Sequence, residues 1–205
     1  MPYSPLNWTQ NDCLFPSLYL FTDQVESIIW KHKLSKDTIR LEPKEDIEEI
    51  QIFEVHLKGK SYSLELLRSI DKAIPYPILH VLMVERQAKL AIAYKERNQS
   101  DENRSVIRSY HETDWQPVES IELNILQGLD LKAVYENIIR QLLPIKAKPE
   151  IELTAVLERQ AQIDKLTQEC ERLESRMRAE KQFNKKVELN MELQRKRNEL
   201  NQLLD

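Results

Sequence analysis

Followed in order, the apolar positions of the chain describe two unlike parts. In FTDQVESIIWKHKL, residues 21–34, Val25, Ile28, Ile29 and Leu34 fall at helical spacing with Thr22 or Asp23 available as a cap, which predicts a helix. DTIRLEP then predicts a short strand. From Glu49 to Lys58 the alternation is strict. Gln51, Phe53, Val55 and Leu57 take one face, and Ile50, Ile52, Glu54, His56 and Lys58 the other, the pattern of a half-buried strand whose second face turns polar. Gly59 permits a turn, and Ser61 or Ser63 can cap a helix bearing Leu64, Leu67, Ile70 and Ile74. Pro75 must end that helix, because it has no amide hydrogen and restricts the residue before it. PILHVLMVE is apolar on both faces and predicts the central strand, with Leu79, Val81 and Met83 buried beside Phe53, Val55 and Leu57. A turn near Arg86–Ala88, the strand KLAIAYKE, the polar loop NQSDEN, the strand RSVIRSYHETDW and the amphipathic helix LDLKAVYENIIRQLL complete an α+β body with a mixed or antiparallel sheet and flanking helices.

Pro144 and Pro149 mark a change of composition, since all three Trp precede them and no Pro, Gly or Trp follows. The expected organisation is an N-terminal arm (1–19), the body (20–143), a linker (144–150) and a long coiled-coil-like helix (151–205). In the tail, Val156, Ile163, Leu166, Cys170, Leu173 and Met177 follow steps of three and four and form a seam. It breaks near Phe183, which implies a stutter, a bend or a change of partner, and a second stripe of Leu189, Leu193, Leu200 and Leu203 follows in another register. A single helix has no second surface to cover its own stripe. Ile163, Leu166, Leu173, Met177 and Val187 are therefore the candidate partner-binding residues, meeting a larger protein, a second copy or the body itself.

Composition narrows the chemistry. The 205 residues hold only two glycines, too few for a dinucleotide-binding turn or a Walker loop, so no nucleotide cofactor is expected. Cys13 and Cys170 are far apart and form no Cys-x-x-Cys pair, which fits a reducing compartment. The N-terminus lacks a basic leader followed by an apolar run, and no segment reaches the length of a spanning helix, so a cytoplasmic protein without membrane contact is expected. A net charge of −4 gives no bulk attraction to nucleic acid.

The blocks VESIIWKHKLSKDTIRL, EIQIFEVHLKGK, LLRSIDKAIPYPILHVL and KLAIAYKE, then LKAVYENIIRQLL and EKQFNKKVELNMELQRKRNEL, occur in an order that resembles a bacterial family, domain of unknown function 4391, over about residues 20–205. The resemblance implies an accessory subunit of restriction-like or antiviral machinery, beside a helicase, methyltransferase or nuclease, with at most indirect contact to DNA.

Glu54, His56 and Lys58 alternate on one strand face and resemble a degenerate PD-(D/E)xK nuclease core, in which acids hold magnesium and a lysine orients water. His56 stands where that core needs an acid, and imidazole suits magnesium poorly. The other reading is a solvated strand face with a cross-strand ion pair. The four His are scattered without zinc spacing, so no metal site is expected, and His80 reads as a hydrogen-bonded core residue. Asp71 and Lys72 follow the apolar helix face and read either as facing a cleft or, more commonly for such neighbours, as a surface pair. Tyr110, His111, Glu112, Asp114 and Trp115 crowd a strand end. In the tail, Arg176, Arg178, Lys181, Lys185 and Lys186 are candidate phosphate contacts, unless the interleaved Glu174, Glu180, Glu188 and Glu192 neutralise them.

Overall fold

The computed structural model describes residues 17–97 and 105–204, in two units divided between Leu143 and Pro144. Cys13, the arm before residue 17 and the expected polar loop at 98–103 lie outside the described residues.

The first unit is α+β. A short helix α1 (Ser17–Gln24) runs directly into β1 (Val25–Ser35), where the sequence predicts a helix. The pairing of β1 with β2 (Glu49–Leu57) explains the difference. Register shifts between Val25 and Ser27 and between Trp30 and His32 each insert a residue, so Val25, Ile28 and Trp30 lie opposite Leu57, Val55 and Phe53 despite unequal spacing. Two bulges thus turn a period of two into something close to helical. The predicted strand at DTIRLEP is instead the single-turn helix α2 (Lys36–Ile39), begun by reciprocal capping between Ser35 and Thr38 and closed by Arg40 at φ 58°.

Beyond β2 come α3 (Leu64–Ala73), β3 (Ile78–Val84), β4 (Gln87–Arg97), β5 (Ser105–Glu112), the two-residue β6 (Gln116–Pro117) and α4 (Leu131–Leu142). The sheet order is β1-β2-β3-β4-β5 with β6 also on β4; β2 and β3 are parallel and the other pairs antiparallel. The parallel step requires a crossover, which α3 supplies. Its N-cap is Ser63, and its buried Leu66, Leu67 and Ile70 pack on Phe53, Val55 and Leu57. Helix α4, capped by Asp130, buries Leu131, Val134, Tyr135 and Ile138 and packs against β2, β4 and β5. The β2–β3 register pairs Phe53 with His80 and Ile52 with Leu79. Leu79, Val81 and Met83 therefore share the face of Ile52, Glu54 and His56 instead of the Phe53 face, and Val81 and Met83 are only half-buried.

The second unit is a helical hairpin. The predicted single helix is divided into α5 (Leu153–Ala179) and α6 (Phe183–Leu204). Glu180 ends α5, and its Oε1 accepts from the amides of Lys181 and Gln182 at 2.8 Å each, which satisfies donors that the start of α6 leaves open. The helices pack on each other through Cys170, Leu173, Leu189 and Leu193, with Met177 beside them. Lys196–Glu169 (3.0 Å), Arg197–Glu174 (2.7 Å) and Arg159 Nε donating to the Leu203 carbonyl (2.7 Å) run from one helix to the other. No described helix is long and apolar enough to cross a membrane.

Leu79 is 1% exposed in the middle of the sheet, so Leu79→Ala is expected to cost about 2–5 kcal/mol. Urea unfolding of the two proteins measures it, and a loss under about 1 kcal/mol would show that the strand is not packed as described.

Candidate functional site

Three places gather chemistry, and they differ in how much of it is already engaged. The first is the polar end of β2. Glu54 Oε1 meets His56 Nε2 at 2.7 Å, and Lys31 reaches Glu54 Oε2 from β1 at 3.1 Å. Burial pushes the Glu54 carboxyl up, but His56 and Lys31 more than offset it and hold it below the usual value. Lys58 does not join them. It lies past the end of β2, where its amide bonds the Gln24 carbonyl at 2.9 Å and its ammonium donates to the Thr22 carbonyl at 2.6 Å. A cation there complements the C-terminal end of α1. Asp46 and Glu48 are exposed in the turn before β2. Among the described residues no three His, Cys, Asp or Glu side chains gather as metal ligands would.

The second place lies beneath the end of α3, and only its histidine was legible in the sequence. Asp71, expected at the surface, is 1% exposed. Its Oδ2 accepts from Tyr110 at 2.6 Å and lies 3.1 Å from His80 Nε2, while Lys95 Nζ stands 2.9 Å from Oδ1. Burial alone would raise the Asp71 carboxyl; His80, Lys95 and Tyr110 together hold it below the ordinary value. Burial and the neighbouring carboxylate push the Tyr110 hydroxyl upward. The Lys95 ammonium also lies within hydrogen-bond reach of the carbonyls of Asp71 (3.1 Å), Ile74 (2.9 Å) and Tyr76 (2.7 Å), the chain that leaves α3. Tyr135 of α4 braces the same strand from the other face, donating to Ala93 O at 2.6 Å and accepting from Lys95 N at 2.8 Å. Apart from His80 Nδ1, which is buried without a hydrogen-bond partner, the polar groups of this cluster face one another, which suits a brace better than a reaction centre.

Tyr110 carries the cluster to the surface, where it lines an open cleft of about 550 Å³ with Lys60, Tyr62, Lys89 and Glu112. There Tyr62 donates to Glu112 at 2.6 Å, Lys89 pairs with the other carboxylate oxygen at 2.7 Å, and the Lys89 ammonium sits 5.7 Å from the centre of the Tyr62 ring. Of the aromatic and polar residues crowded at the end of β5, the structure thus directs Tyr110 inward and Glu112 to the cleft.

The third place is the hairpin. Ile163 and Leu173 are buried and Leu166 and Met177 half-buried, so the predicted partner stripe is largely covered, with Leu173 and Met177 packed in the hairpin's own core. Of the five candidate partner residues, Val187 stays open, on a second α6 stripe with Phe183 and Met191 at steps of four; they are 42%, 77% and 69% exposed. The sequence already places Val187 apart from the stripe of Leu189, Leu193, Leu200 and Leu203, and two of these, Leu189 and Leu193, are the ones that turn inward.

Asp71→Asn keeps the shape and removes the charge that Lys95 faces, and is expected to cost about 3–5 kcal/mol at neutral pH. Because the folded-state Asp71 is depressed, that contribution is complete above an unfolded carboxyl value of about 4 and is lost as pH falls through the folded value. Denaturation of both proteins from pH 7 to pH 2 checks it: the stability difference should shrink only at the acid end, and a constant difference would remove the charge from the explanation.

No curated protein and no solved structure matches the chain. Comparison with known families gives a match over residues 19–200, which takes in β1 to β6, α2 to α4, α5 and most of α6. The chain belongs to the family described as domain of unknown function (DUF4391).

Proposed function

We propose that this protein is a non-catalytic adaptor whose C-terminal hairpin docks a larger protein of a bacterial DNA-targeting assembly, in the cytoplasm. The observation that carries the reading is the outer face of α6. Phe183, Val187 and Met191 are open to solvent, flanked by Asn190, Gln194 and Asn198, while the charges of α6 lie on its other faces. A helix face emptied of charge in a unit rich in charge has the composition of an interface centre, where aromatic residues and Met are enriched and Lys and Glu depleted. The engagement of Glu54, Asp71 and Lys58 in pairs and caps supports a scaffold role for the body. The restriction-like or antiviral setting that the family resemblance implies supports a helicase, methyltransferase or nuclease as the larger partner.

The test is affinity purification of the tagged full chain from its native host, with the retained protein identified by mass spectrometry. One large DNA-acting protein should remain bound and be lost from Val187→Asp/Met191→Asp. Both side chains are exposed, so the double variant should unfold within about 1 kcal/mol of the native chain. Retention of the partner by that variant would remove α6 from the interface. Magnesium-dependent cleavage of DNA by the purified chain, abolished in Glu54→Gln, would replace the adaptor reading with an enzymatic one.

A further inference from the structure

The turn between α5 and α6 redistributes the charges of the tail. Arg176 and Arg178 end α5, Lys181 lies in the turn, and Lys185 and Lys186 stand in the first turn of α6; all five are exposed. Of the acids around them, Glu188 and Glu192 stand exposed farther along α6, and three others are committed elsewhere. Glu174 holds Arg197 at 2.7 Å, Glu169 holds Lys196 at 3.0 Å, and Glu180 turns its carboxylate to the amides of Lys181 and Gln182. Farther along α6, Arg195 and Lys196 reach Glu199 at 3.7 and 3.2 Å, whereas among the described residues no ion pair engages any of the five at the tip.

The helix ends sharpen the point. Arg176 and Arg178 complement the partial negative charge at the C-terminus of α5, so two of the five cations have an internal use. Lys185 and Lys186 have the opposite placement, at the positive N-terminal end of α6, where a cation opposes the dipole and an acid would be favoured. Five like charges within eleven residues of a tight turn, two of them against the local field, repel one another and favour an anion. Phe183 stands among them, 77% exposed, with an open aromatic face.

We propose that the tip of the hairpin binds single-stranded nucleic acid, with Arg176, Arg178, Lys181, Lys185 and Lys186 on phosphates and Phe183 stacked on an unpaired base. A cationic track interrupted by an aromatic ring is what a flexible strand requires, since its backbone supplies charge and its exposed bases supply flat faces. A duplex offers the charge but keeps its bases stacked, which leaves Phe183 without a partner. The acidic balance of the whole chain does not oppose this, because at physiological salt a charge is screened over about 8 Å.

Fluorescence anisotropy of a labelled 20-nucleotide oligothymidine with the full-length chain tests the assignment. At about 50 mM salt, binding should be measurable, and log K should fall against log salt with a slope of about −3.5 for five phosphate contacts. Lys181→Gln/Lys185→Gln/Lys186→Gln should weaken binding at least about tenfold and lower the slope by about 2, while replacement of the same three by Arg restores it. Phe183→Ala should weaken binding roughly 5- to 150-fold and leave the slope unchanged. Circular dichroism shows whether α6 survives each change; if the triple variant loses helix, Lys185→Gln alone should still move the slope by about 0.7. Absence of binding at 50 mM salt, an unaltered slope in the charge variants, or binding confined to phosphatidylserine vesicles would overturn the proposal. So would a 20-base-pair duplex that binds as tightly as the single strand and is indifferent to Phe183→Ala.

Discussion

A single carboxylate holds the first unit together. Asp71 belongs to α3, His80 to β3, Lys95 to β4 and Tyr110 to β5, so its oxygens join the crossover helix to three consecutive strands. The elements could not be swapped or shifted without leaving a charge in a dry interior, an error far more expensive than the loss of an apolar contact. Apolar packing between α3 and the sheet provides bulk stability and sets the register, since a slip of one residue would turn Phe53, Val55 and Leu57 away from α3. The buried pair adds a second constraint, since its groups meet when β2 and β3 run parallel and Lys95 reaches under the end of α3.

Much of this was legible in the sequence, and the failures have identifiable causes. Strict alternation located β2, the serine cap and Pro75 delimited α3, and two-sided apolarity marked β3 as internal. The helix read at residues 21–34 failed because bulges in β1 alter the spacing on which the reading depends. The Asp71 cluster was missed because each member looks ordinary when taken alone. Two local conflicts pointed to it: an acid in the last turn of an apolar helix, against the dipole, and a lysine within the apolar strand KLAIAYKE. Two such conflicts in one domain are a reason to look for a pair, although sequence separation gives no distance between them.

In the tail the sequence located the break near Phe183 but not its sharpness. The difference decides what the charges do. Along a continuous helix, acids and bases at helical spacing would neutralise one another; folded at Glu180, the acids Glu169 and Glu174 face the opposite helix and find Lys196 and Arg197 there. The hairpin thereby separates its polar chemistry into a shaft crossed by two ion pairs, a cationic tip that no ion pair among the described residues engages, and an uncharged outer strip on α6. The tip and the strip meet at Phe183, so a protein docked over that ring and a base stacked on it would exclude each other there, while Val187 and Met191 belong to the strip alone.

Cys170 sits in the shaft of the hairpin, 6% exposed, packed with Leu173, Leu189 and Leu193. A sulfhydryl in that position is shielded from a water-borne alkylating reagent while the helices are closed and becomes reactive when they part. Its rate of alkylation is therefore a built-in clock for the opening of α5 from α6. A ligand that grips the turn would slow that clock.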